Sequence, residues 1–148
     1  MEKRVQIEVA EPAAYNGMMA LEKYLHESHL NKSHLDLVKI RASQLNRCAY
    51  CIDMHTKNAL KNGEDIQRIF MLNAWRETGL FTEEEKIILQ ITEEVTLIHI
   101  AGLASETYQK AIEILGENTF SQIIMAITTI NAWNRIAVST HKPISGGL

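Results

Sequence analysis

Proline is almost missing from this chain. The 148 residues hold two, Pro12 and Pro143, both near the ends, so nothing in the long interior stops one helix from following another. Dense blocks of Lys or Arg are also absent. Fifteen basic residues against eighteen acidic ones give a formal charge of -3, which removes the electrostatic footprint expected of a nucleic-acid binder. No apolar run approaches the length needed to span a bilayer. The start, MEKRVQIEVAEP, is charged and lacks the apolar stretch of a signal peptide, so a cytoplasmic protein is expected. Cysteine is scarce as well: Cys48 and Cys51 are the only two. In a reducing compartment such a pair is unusual as a persistent structural disulfide.

What remains is ordinary for a globular fold, with 46% hydrophobic and 22% charged residues, and one domain over 1–148 is the expectation. The apolar residues recur at helical spacing. An amphipathic helix is predicted around Tyr15 to His26, and Ser33 is expected to open the next through SHLD, a capping-box variant with Asp36 at its third helical position. Leu37, Val38, Ala42 and Leu45 form its stripe, and it should stop near Asn46. A further helix is predicted from about Cys48 to Asn62-Gly63. Asp65 then caps a segment carrying Ile69, Phe70, Leu72 and Trp75. TEEE at 82–85 is a second capping box, and behind it Ile87, Ile88, Ile91, Val95 and Ile98 mark a buried face. Gly102 breaks the pattern. Ser105 is expected to cap a short helix to Leu115-Gly116, and Asn118 to begin a last, largely apolar one through Ile123, Ile127, Ile130 and Trp133. The β-branched runs ITTI and VTLIHI lack flanking hairpin residues, so the predicted class is all-α. NAWRE at 73 and NAWNR at 131 echo each other without wider repetition.

The stretch RCAYCIDMH, residues 47–55, carries the chemistry. If Cys48 sits at a helix start, unpaired backbone N–H groups and the helix dipole favour thiolate over thiol. Cys51, three residues on, lies on the same side of the first turn, within reach of a disulfide. His55 follows Cys51 by four residues and brings an imidazole over the same face, where it can accept a thiol proton. Nucleophile, resolver and proton carrier therefore fit on two turns. Other readings stay open at this point: two small buried hydrophobes, or a zinc site that borrows His99 or His141 as its fourth ligand. A thioredoxin-type enzyme needs a βαβ scaffold that the pattern does not offer, and a Cys-His hydrolase needs only one cysteine.

RASQLNRCAYCIDMHTKNALKNGE, followed by AWRE, a TEEE helix start and later NAWNR, resembles the carboxymuconolactone decarboxylase family in its alkylhydroperoxidase D-like branch. The similarity runs from about residue 34 to 99. The resemblance implies an all-helical bundle assembled as a homo-oligomer, trimer or hexamer. It implies a thiol peroxidase that reduces hydroperoxides without metal or organic cofactor. The decarboxylases that name the family lack the cysteine pair. Carried across, the family motif makes Cys51 the sulfur that attacks peroxide and Cys48 the one that closes the disulfide. It matches His55 to the family histidine, and puts Asp36 where the family has glutamate. Position 50, often His, is Tyr50 here, an expected substrate-contacting residue. Arg47 stands where Gly is frequent. A dipole argument alone would rank Cys48 as the more acidic thiol; the family pattern and His55 favour Cys51. An external dithiol, lipoyl-type or thioredoxin-like, is the implied reductant. The competing classes are a redox-sensing or disulfide-exchange module and a zinc-stabilised interaction protein.

Around the motif, Asn46 is expected to make the left-handed turn between two helices, with Ser43 and Gln44 holding the loop. Asn131 and Asn134 need partners if buried. His26, His29 and His34 are expected to be bystanders, and Glu83, Glu84 and Glu85 to complement a helix dipole.

Overall fold

The structure is a computed structural model that describes residues 2–144 and 146. Met1, Ser145, Gly147 and Leu148, part of the span expected to form one domain, lie outside the described residues. No strand occurs among the described residues, in line with the all-α expectation, and no helix there is long and apolar enough to cross a membrane.

A short helix α1 (Ile7–Ala10) leads into α2 (Pro12–Glu27), where Pro12 occupies the first turn and so sacrifices no intrahelical hydrogen bond. Helix α3 (Lys32–Leu45) follows, and its cap differs from the expected one. Asn31, not Ser33, is the N-cap, accepting from the Ser33 amide at 2.9 Å, while the Ser33 hydroxyl donates instead to Glu64 across the bundle. Two side chains able to cap stand two positions apart, and the tertiary partner of Ser33 decides between them.

Helix α4 (Ala49–Lys61) begins where the sequence placed it. Cys48 is its N-cap, with the sulfur accepting from the Cys51 amide at 3.3 Å. The preceding turn is left-handed at Arg47 (φ 54°), not at Asn46, which stays right-handed. Cys48 N donates to Ser43 O and Arg47 N to Gln44 O, the paired bonds of a Schellman stop, and the same pattern recurs with Gly63 at the end of α4. Asn46 is the C-cap of α3 and keeps right-handed backbone angles, so the left-handed residue of the stop is the one after it.

Asp65 caps α5 (Ile66–Met71), on which Phe70 is exposed, and α5 gives way to a 3-10 stretch, Leu72–Glu77, that buries Leu72 and Trp75. Thr82 and Glu85 complete the expected capping box of α6 (Glu83–Thr96). Its buried face carries Ile87, Ile88 and Ile91, but Ile98 does not extend it. The helix ends at Thr96, and in α7 (Ile98–Ala101) Ile98 is 61% exposed. Helix α8 (Ser105–Ser139) is preceded by Ala104, with no side-chain cap from Ser105, and is interrupted at Gly116 (φ 73°, ψ 164°). That interruption is the boundary expected at Leu115-Gly116.

Helix α3 is central and packs against α4, α6 and α8, while α2 lies on α8. Its faces are divided. Val38 and Ala42 join Ile87, Ile88, Ile91, Ile123, Ile127 and Ile130 in one core, whereas Leu37 and Ile40 join Ala59, Leu72, Trp75 and Leu89 in a second. Each fully buried aliphatic side chain contributes about 1.5–3 kcal/mol. The third side of α3 is polar and also buried: Asp36, Lys39 and Ser43, at helical spacing, point towards the site.

Candidate functional site

The polar side of α3 and the start of α4 are held in place by amide side chains of α8. Asn134 Nδ2 donates to Ser43 Oγ at 3.0 Å, and Ser43 Oγ donates to Lys39 O. Asn46 Nδ2 donates to both Asn134 Oδ1 and Asn131 Oδ1, and Asn131 Nδ2 reaches Thr96. The two asparagines singled out on the apolar last helix thus find intramolecular partners, and they anchor the turn that delivers Cys48.

Cys48 and Cys51 are paired at disulfide distance, with Cα atoms 5.3 Å apart, and are 1% and 2% exposed. Tyr50 and Ala137 pack against them. The two sulfurs are not equivalent. A cavity of about 610 Å³ opens between α2, α3, α4 and α8, and Cys51 lines it whereas Cys48 does not. His55, Asp36 and Tyr50 line the same cavity, so four of the five residues expected at the site share one wall and the fifth, Cys48, sits behind Cys51.

His55 is 5% exposed. Burial, helped by the charge of Lys39, pulls its imidazole down to about 3, so it is neutral at physiological pH and the site disfavours its protonated form. Asp36 accepts from Asn62 Nδ2 at 2.8 Å. Burial pushes its carboxyl up, against the opposing pull of that hydrogen bond and of Lys39. Among the described residues no hydrogen bond joins Asp36 to His55.

Several cavity residues escaped the sequence reading. Lys39 Nζ lies 2.8 Å from Glu22 Oε2, and Trp133 Nε1 donates to the other oxygen of Glu22 at 2.9 Å, so one carboxylate of α2 ties α3 to α8. Tyr15 meets Trp133 edge to face, and Lys142, paired with Glu8, lies over the Tyr50 ring. His26, expected to be a bystander, lines the cavity too. Arg47 does not. It is exposed and borders a shallower depression with Arg41 and Gln44. Of the suggested zinc partners, His99 is exposed on α7, and His141 follows the end of α8, next to the cavity residue Lys142. Among the described residues no cluster of three or more His, Cys, Asp or Glu is placed to hold a metal ion.

A chain with this helical order and a paired Cys-x-x-Cys has relatives. The model of the carboxymuconolactone decarboxylase family matches residues 12–94. The uncharacterized protein YdfG of Bacillus subtilis (strain 168) is 40% identical over 139 residues, spanning 94% of this chain and 95% of its own. Among solved structures, a protein of unknown function from Agrobacterium tumefaciens, named as a candidate antioxidant defence protein AhpD, superposes with a TM-score of 0.95. It is 34% identical and is covered over 99% of this chain and 100% of that one. A debrominase shares the fold alone, with a TM-score of 0.82 at 15% identity over 93% of this chain and 74% of its own. The order of helices, the cysteine pair at the head of α4 and these matches together make this chain a member of the carboxymuconolactone decarboxylase family with an AhpD-like fold.

Proposed function

We propose that the protein is a thiol peroxidase that reduces organic hydroperoxides through a Cys48–Cys51 disulfide, in antioxidant defence. The observation that carries this reading is the asymmetry of the pair. Cys51 lines the cavity beside a neutral imidazole one turn away, and Cys48 stands behind it at disulfide distance.

In the reduced protein neutral His55 does not keep the Cys51 thiol proton but relays it through its ring towards Asp36 and the cavity, and the positive charge of Lys39 favours the thiolate left beside neutral imidazole. The thiolate attacks the terminal peroxide oxygen, the O–O bond breaks, and the departing alkoxide takes the proton back as an alcohol. Cys51 is left as a sulfenic acid. Cys48 then attacks the Cys51 sulfur, expelling the hydroxyl as water and closing the disulfide. Its thiol proton goes to that water. Tyr50 forms an aromatic wall of the pocket and contacts the substrate. Asp36 assists the proton movement through His55 from the cavity wall.

An external dithiol restores both thiols and leaves as its own disulfide. Because both sulfurs are almost wholly buried and Cys51 alone faces the cavity, a slender lipoyl-type dithiol suits the site better than a folded thioredoxin-like one. The protein acts as one 1–148 unit in the cytoplasm, as a homo-oligomer of three or six chains. Exposed apolar residues such as Ile98 and Ile100 support assembly.

The test is a thiol count before and after one equivalent of cumene hydroperoxide. Wild type should lose two thiols per chain. Cys48→Ser should consume one equivalent and accumulate sulfenic acid, and Cys51→Ser should not react. Reaction of Cys51→Ser but not of Cys48→Ser would reverse the roles, and reactivity no faster than free cysteine would remove the peroxidase.

A further inference from the structure

The cavity is positive in a protein that is negative overall. Four lysines, Lys32, Lys39, Lys61 and Lys142, line it against two carboxylates, Glu22 and Asp36, while the chain carries a formal charge of -3. Lys39 and Lys142 are paired, with Glu22 and Glu8. Lys32 and Lys61 are exposed, and among the described residues neither forms a salt bridge.

These two cations share one end of the cavity. Helices α3 and α4 run antiparallel across the Asn46-Arg47 turn, so the start of α3 lies beside the end of α4, as the Ser33–Glu64 and Asn62–Asp36 hydrogen bonds show. Cys51 is at the other end. Along α4 the cavity face is Cys51, Met54, His55, Asn58 and Lys61, three- and four-residue steps that form one stripe. Ten residues at 1.5 Å each separate Cys51 from Lys61 by about 15 Å along the axis. The wall between is largely apolar, with Leu25, Leu30, Leu35 and Met54 among its residues. A helix dipole accounts for Lys61 at a C-terminus, but it opposes Lys32, which occupies the first position of α3 next to unpaired N–H groups. Among the described residues the one local attraction is that of the Asp36 carboxylate four residues on, which feels the Lys32 charge without forming a salt bridge to it.

We infer that the preferred substrate is an anionic amphiphile: a hydroperoxide on an aliphatic chain that ends in a carboxylate, with the carboxylate at Lys32 and Lys61 and the peroxide at Cys51. About 15 Å corresponds to roughly a dozen carbons, given an advance of about 1.3 Å for each C–C bond. A cavity of about 610 Å³ falls within the range of sites that enclose ligands of this size. The inference rests on the peroxidase reading of the same site and specifies its substrate class.

The experiment compares kcat/KM for a hydroperoxy fatty acid, its peroxide about a dozen carbons from the carboxylate, with that for its methyl ester, using the uncharged reductant dithiothreitol. Wild type should favour the acid by on the order of tenfold, and the doubly substituted Lys32→Glu, Lys61→Glu protein should bring the acid-to-ester ratio near or below one. Equal rates for acid and ester in wild type, or a ratio that survives both substitutions, would overturn the assignment. Calorimetric titration with laurate gives a readout that needs no turnover. Binding to wild type that weakens by about tenfold in the double variant supports the site, and no binding to wild type refutes it. Cumene hydroperoxide turnover is scored separately. Its absence would remove the peroxidase reading, while the laurate titration would still decide what the cavity binds.

Discussion

Asn46 Nδ2 donates to Asn134 Oδ1 at 2.8 Å, which fastens the turn before Cys48 to the last helix. Asn134 is 1% exposed and also donates to Ser43. Asn134→Leu should therefore remove both bonds, leaving Ser43 with Lys39 O alone and Asn46 with Asn131 alone, and cost about 1–3 kcal/mol, read as a lower urea midpoint with little change in slope. An unchanged midpoint would mean that the network adds nothing to stability.

His55 makes stability depend on pH. Its folded value of about 3 lies below the unfolded value near 6.5, so between these limits the unfolded chain binds the extra proton and stability falls as pH falls. For these two values the loss between pH 8 and pH 5 is about 2 kcal/mol. Urea titrations of wild type and His55→Gln at the two pH values should show that loss in the wild type, and the variant should lose less by about that amount. Parallel behaviour would show that His55 already charges in the folded protein.

Asp36 should behave as a residue kept for activity at some expense of stability. Burial raises its folded carboxyl above the unfolded value, so its ionisation weakens the fold as pH rises past the ordinary carboxylate range. Asp36→Asn, which can still accept from Asn62, should have a higher urea midpoint at pH 7 and reduce peroxide on the order of 10²-fold more slowly. Asp36→Glu should match or exceed wild-type activity. Superimposable pH profiles for Cys51 alkylation in wild type and Asp36→Asn would take Asp36 out of the proton path. A capping role no longer competes with this account, because Asn31 caps α3.

Light scattering should return a trimer or a multiple of it. Ile98 and Ile100 are both exposed on the short helix after α6, and replacing both by Asp should yield smaller species with unchanged helicity. A wild-type monomer at micromolar concentration would contradict the assembly.

Features that depend on a few neighbouring residues were legible in advance. Thr82 and Glu85 form their box, Gly63 ends α4, Gly116 interrupts α8, and Cys48 heads a helix with Cys51 and His55 in register. The errors arose where two local solutions compete. Asn31 and Ser33 could both cap α3, and either Asn46 or Arg47 could have turned left-handed; contacts from elsewhere in the chain selected one of each pair.

The stripe Leu37, Val38, Ala42 and Leu45 predicted one buried face on α3, because polar residues at helical spacing ordinarily mark the solvated side. Three helices surround α3, so Asp36, Lys39 and Ser43 are buried as well. The sequence alone determined the helices and the register of Cys48, Cys51 and His55 at the head of α4, since capping, dipole and three- and four-residue spacing act within a turn or two. Only the tertiary structure decided that Cys51 and not Cys48 meets the cavity, and that Glu22 and Trp133 share a wall with it. That wall is built from helices far apart in the chain, brought together by burial of their apolar faces, and no short stretch of sequence contains it.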